Sequence, residues 1–96
     1  MLIAKPCVTM KGLVIQAYSW EKKIRINLAE VKRCLENRSI KIETFIPDMM
    51  LIALIDGFET SIYPSGKIII KELGNTERGK EIAAIILECA GLSDLL

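Results

Sequence analysis

Hydrophobic and polar positions alternate with a period of two over residues 12–20, GLVIQAYSW. The pattern puts Leu13, Ile15 and Ala17 on one face of a strand opened by Gly12, and Val14, Gln16 and Tyr18 on the other. The second face is mixed rather than plainly wet. The charged EKKIR that follows reads as a loop. From Asn27 the period changes: Leu28, Val31, Cys34 and Leu35 recur at helical spacing, and Asn27 with Glu30 has the spacing of a capping box. This predicts a short amphipathic helix of about three turns through residue 36, stopped by Asn37, Arg38 and Ser39.

Between Ile40 and Lys71 the pattern is β again. IKIETF alternates, Pro47-Asp48 interrupts, MMLIALI is almost continuously apolar, and Asp56-Gly57 is a strong hairpin signal. FETSIY, a turn at Pro64 to Gly66, and KIIIKEL complete a meander of about four strands. A second helix is predicted from about Thr76 to Ala90, capped near Asn75 and stopped at Gly91, burying Ile82, Ile85, Ile86 and Cys89 and weakened slightly by Gly79. The order strand, helix, four strands, helix predicts an α+β domain, with an antiparallel sheet of about five strands and two helices on one face. The other face of the sheet is then left uncovered.

Composition narrows what that face can do. The chain of 96 residues is 51% hydrophobic, enough for the core of a single domain over 1–96 without a disulfide or metal. Its longest apolar run, residues 49–55, is too short to cross a bilayer, no signal-peptide pattern opens the chain, and the expected location is cytoplasmic. Cys7, Cys34 and Cys89 are odd in number and far apart, so core or half-buried thiols are the expectation. There is no histidine, and no pair of carboxylates is placed for acid–base or metal work. The reading is therefore not an enzyme, with no cofactor and no metal. Residues 1–43 carry a charge of +5 and residues 44–96 a charge of −4, so the basic half suits phosphate or the acidic half of another copy. Abundant Ile, Lys and Glu lean towards a thermophile.

The stretch TSIYPSGKIIIKEL, residues 60–73, carries lysines at both ends of an isoleucine triplet and an aromatic-x-Ser-Gly-Lys turn, Tyr63-Pro64-Ser65-Gly66-Lys67. Ile46-Pro47 stands seventeen residues before Tyr63, and the helix opens on RINLAEV. In these features and in element order, residues 12–92 resemble one half-repeat of the TATA-binding protein family, archaeal and eukaryotic minor-groove binders whose saddle is built from two such repeats. Residues 1–11 lie outside the resemblance as an N-terminal extension.

The resemblance implies a curved sheet and a DNA-facing surface with Tyr63, Ser65, Lys67, Ile69 and Lys71 on one face, and Ile68 and Ile70 beneath the helices. Lysines at the edges would meet phosphate and Ile69 the apolar groove floor, on AT-rich double-stranded DNA. Gln16 falls near a family residue that contacts base edges, with Tyr18 beside it on the same face. Where the family wedges phenylalanine between base steps, this chain has Ile46 and Tyr63; counted from Asn27 the wedge is Phe45, and a slip of one residue turns that strand over. Lys22, Lys23 and Arg25 would extend the positive surface.

With one repeat only, the first strand would be a bare apolar edge, so the resemblance implies a homodimer pairing residues 12–20 with their mate through Leu13, Val14, Gln16, Tyr18 and Trp20. The alternative cover is the N-terminal segment LIAKPCVTM, which has β character. Two functions stay open: a transcription-related or architectural DNA-binding protein, and a protein-interaction module that kept the fold without the DNA.

Overall fold

The computed structural model describes residues 1–6, 11–21 and 23–95. Six strands and two helices follow one another as β1 (Leu2–Pro6), β2 (Gly12–Ala17), α1 (Leu28–Asn37), β3 (Lys41–Ile46), β4 (Met50–Ile55), β5 (Phe58–Ile62), β6 (Lys67–Lys71) and α2 (Thr76–Cys89), with a short 3-10 turn at Ser93–Leu95. The strands form one antiparallel sheet in the order β1-β2-β6-β5-β4-β3. The fold is α+β, with one strand more than the five expected.

Both helices start as the sequence predicts. The Asn27 side chain accepts hydrogen bonds from the amides of Ala29 and Glu30 at 3.1 and 3.2 Å, and the Asn75 side chain accepts from the Arg78 amide at 3.0 Å. Helix α2 ends in a left-handed Gly91 (φ 74°), with the Leu92 amide donating to the Leu87 carbonyl. The hairpin between β4 and β5 turns on Asp56 and Gly57, both at positive φ, the geometry whose twist matches the flanking strands.

The helices cover one face of the sheet. Leu13, Ile15, Leu51, Ala53, Ile62, Ile68 and Ile70 from the strands meet Val31 and Leu35 of α1 and Ile82, Ala83, Ile86 and Leu87 of α2, each with 1% or less of its surface exposed. Gly79, expected only to weaken α2, sits on this interface: a Cβ there would press on Leu13 Cδ1, so the missing side chain lets α2 lie close to β2. Gly12 does the same for β2 and β6, because a Cβ would run into the Ile70 carbonyl oxygen.

Two expectations are corrected. Strand β2 is not an edge: β1 pairs along it from Leu2 opposite Ala17 to Pro6 opposite Leu13, while β6 takes its other side. The bare apolar edge that called for a β2-to-β2 dimer is covered by the chain's own N-terminal segment. Leu13 is in the core, 1% exposed, and is unavailable to a partner. The outer strands β1 and β3 carry the edges instead, and both are poor templates for a further strand, β1 ending in Lys5-Pro6 and β3 bulging between Ile42 and Thr44.

The second correction concerns the cysteines. Cys34 of α1 and Cys89 of α2 form a disulfide, with their Cα atoms 5.5 Å apart. They are 55 residues apart in sequence but stand where the two helices touch, alongside an Arg38–Glu88 ion pair. Cys7 lies outside the described residues.

Candidate functional site

Alternation along each strand sends every second side chain away from the helices, and the strand registers assemble these into an uncovered face. Across its middle run Lys5, Val14, Ile69, Ser61, Ile52 and Thr44, each opposite the next on adjacent strands. Towards one end Ile3, Gln16 and Lys67 follow one another on β1, β2 and β6, with Met50 opposite Ile46 on β4 and β3. Towards the other lie Gly12 opposite Lys71, and Glu59, Leu54 and Lys41. The face is thus an apolar band with exposed lysines, Lys5, Lys41, Lys67 and Lys71, placed around it. Glu59 lies among them with Glu43 and Glu72 beside it, and the Glu59 carboxylate pairs with Lys71 Nζ at 3.4 Å. Both side chains are largely solvated, so the pair holds Lys71 only loosely.

Most residues expected on this face are on it. Lys67, Ile69 and Lys71 of β6 point away from the helices while Ile68 and Ile70, at 0% exposure, point into the core. Ile46 is 40% exposed on the uncovered side. Phe45 is not: it pairs with the buried Leu51, packs against the core, and lies under Lys32 of α1, whose Nζ is 5.7 Å from the ring centroid. The expectation that Phe45 meets DNA is therefore corrected. The cause is the β3 bulge, which places Ile42 and Phe45 on the helix side and Lys41, Thr44 and Ile46 on the other, a phase shift that strict alternation does not register.

Tyr18, Tyr63 and Ser65 gather at one end of the sheet rather than on its middle. Tyr63 begins the three-residue turn Pro64-Ser65-Gly66, in which the Tyr63 amide donates to the Lys67 carbonyl at 3.0 Å and Gly66 adopts φ 90°. Gln16 turns towards it: its Nε2 donates to the carbonyls of Ser65 and Ala17 at 3.0 and 3.1 Å. The Ile26 amide donates to the Pro64 carbonyl at 2.8 Å, fastening the loop after β2 to the same turn. Between them opens a cleft of about 870 Å³ that includes Lys23 and Arg25 in its walls. Trp20, expected at a dimer contact, is 91% exposed on this loop, and Tyr18 is 47% exposed. Lys22 lies outside the described residues. The sequence signal for this cleft was present in the basic loop and the two tyrosines, but which turn the loop packs against is a tertiary fact.

Among the described residues no group of three or more His, Cys, Asp or Glu side chains comes together in a way that would hold a metal ion, and no helix is long and apolar enough to cross a membrane. Compared with protein-family models, curated proteins and solved structures, the chain matches none of them.

Proposed function

We propose that this chain binds double-stranded DNA through the uncovered face of its sheet, as a transcription-related or architectural protein of the TATA-binding type. The observation that carries the reading is the face itself: four lysines at strand positions surround an apolar band of Val14, Ile69 and Ile52, with the carboxylates Glu43, Glu59 and Glu72 confined to the Leu54 and Lys71 end. Lysines at the rim suit phosphates, and an apolar centre suits the sugar and base surface of a shallow, opened minor groove. The element order from β2 onwards, strand, helix, four strands, helix, supports the reading, as does Ile46, which is exposed on the uncovered side where the reading needs a wedge. Because β1 occupies the edge of β2, the reading requires no pairing of β2 between two copies.

The test is fluorescence anisotropy of labelled AT-rich and GC-rich duplexes at low and moderate salt. Binding that weakens steeply with salt and favours AT-rich duplex is the expected result. Absence of binding at low salt would overturn the reading in favour of a protein-interaction module. That second reading draws on Leu54, Ile46 and Met49, which are 38%, 40% and 64% exposed and together give the β3–β4 side an apolar character suited to a protein.

A further inference from the structure

The cleft at the end of the sheet has a chemistry of its own. Two aromatic residues, Tyr18 and Tyr63, and two apolar ones, Ile24 and Pro64, line it together with Lys23 and Arg25. No carboxylate is among its described lining residues. Its volume of about 870 Å³ lies within the usual range for small-molecule sites. Its walls are held by main-chain and amide bonds: the Ile26 amide to Pro64, the Ala17 amide to Gly66, and Gln16 Nε2 to Ser65. Gly66 fits the turn against Ile24, because a Cβ there would stand 3.0 Å from Ile24 Cγ2. The Pro64 turn is thus fastened to β2 and to the end of the loop that follows it.

A cleft that holds two tyrosines, a lysine and an arginine suits a planar aromatic group that carries negative charge. Base-on-aromatic stacking contributes about 1–3 kcal/mol per base and tolerates any base, while lysine and arginine supply charge-assisted hydrogen bonds to phosphate. We infer that this cleft takes an unpaired nucleotide, with the base against Tyr18 and Tyr63 and the phosphate at Lys23 and Arg25. The inference goes beyond duplex binding on the uncovered face and does not depend on it, because Lys23 and Arg25 belong to the loop after β2 and not to the sheet. A free nucleotide and a nucleotide unit of a single strand present the same chemistry.

Trp20 is the chain's single tryptophan and follows the lining residue Ser19 in sequence, so its emission is one readout to try beside calorimetry. Titration with 5′-phosphorylated hexathymidylate and with thymidine 5′-monophosphate, read by Trp20 emission and in parallel by calorimetric heat, tests the inference. Saturable binding of either supports it, and the two arms separate a strand from a free nucleotide. Lys23→Ala with Arg25→Ala should weaken that binding by at least about tenfold, the equivalent of one charge-assisted hydrogen bond. Lys5→Ala with Lys41→Ala, on the uncovered face, should leave it within about twofold by the independence of distant sites. Both substituted pairs are solvent-exposed, and a circular dichroism melt confirms that each variant is folded. No saturable signal in either readout, equal binding of unphosphorylated thymidine, or indifference to the Lys23 and Arg25 changes would overturn the inference. Loss of duplex binding with the cleft intact would instead count against the uncovered face alone.

Discussion

The two faces of the sheet are built from the same strands, and β6 shows the difference within three identical residues. Ile68 and Ile70 are 0% exposed beneath the helices, whereas Ile69 between them is only partly covered and looks outwards between Lys67 and Lys71. On the helix side the strand residues packed in the core are Ile, Leu and Ala with Phe45 and Phe58, and the buried polar exception among the described residues is Thr60, whose hydroxyl donates to the Phe58 carbonyl at 3.1 Å. On the other side apolar and cationic positions are interleaved. The covered face therefore sets the fold, because the side chains at its centre are removed from water and fit packed neighbours. The uncovered face is free of that constraint, and changes there should alter binding while leaving the fold intact.

The contrast can be broken hardest at β6 itself. Ile70→Ala should destabilise the protein by about 2–5 kcal/mol through lost burial and the cavity left behind, whereas Ile69→Ala should cost well under half of that in urea unfolding. Similar costs for the two would remove the distinction between the faces. Next in size is the link between the helices. Reduction of Cys34–Cys89, or Cys34→Ser with Cys89→Ser, releases a loop with a sequence separation of 55, and loop-closure entropy puts the cost at about 4 kcal/mol. Duplex binding should be unchanged in the folded variant. The pairing itself is checked by thiol titration of denatured protein, which should show two more reactive thiols per chain after reduction than before it.

Charge changes on the uncovered face sharpen the contrast from the other side. Lys5→Ala with Lys67→Ala should leave stability within about 0.5 kcal/mol per site, since both side chains are exposed. The same pair should flatten the dependence of log K on log salt by about 2, one phosphate contact for each lysine. The smallest effect is expected from Glu59→Gln, which removes the carboxylate beside Lys71. Duplex binding should strengthen by a few-fold, in keeping with the small energy of a solvated ion pair, and weakened binding would speak against phosphate contact by Lys71.

Much of this arrangement is legible in the sequence because both periods are strong. The strand alternation from Leu13 to Ala17, the caps Asn27 and Asn75, and the Asp56-Gly57 turn are local signals, and each appears where the pattern puts it. What was not legible depends on distant contacts. Strand β1 is short, ends in proline, and acquires its meaning only by pairing with β2. The β3 bulge shifts phase between Ile42 and Thr44 and hides the true side of Phe45. Cys34 and Cys89 look unrelated in the chain and meet only when α1 crosses α2. For the candidate site, β6 revealed its lysines directly, while the cleft needed the loop after β2 to be placed against the Pro64 turn.

The most direct test of duplex binding by the uncovered face is a methyl-resolved NMR titration of isoleucine-labelled protein with AT-rich duplex. Isoleucines mark both faces: Ile3, Ile46, Ile52 and Ile69 lie on the uncovered side, while Ile15, Ile26, Ile55, Ile62, Ile68, Ile70, Ile82 and Ile86 are in the core. The account predicts that Ile69 and Ile52 shift or broaden first, with Ile68 and Ile70 little changed. No methyl response to the duplex, or a response confined to Ile82, Ile86 and their neighbours, would contradict it.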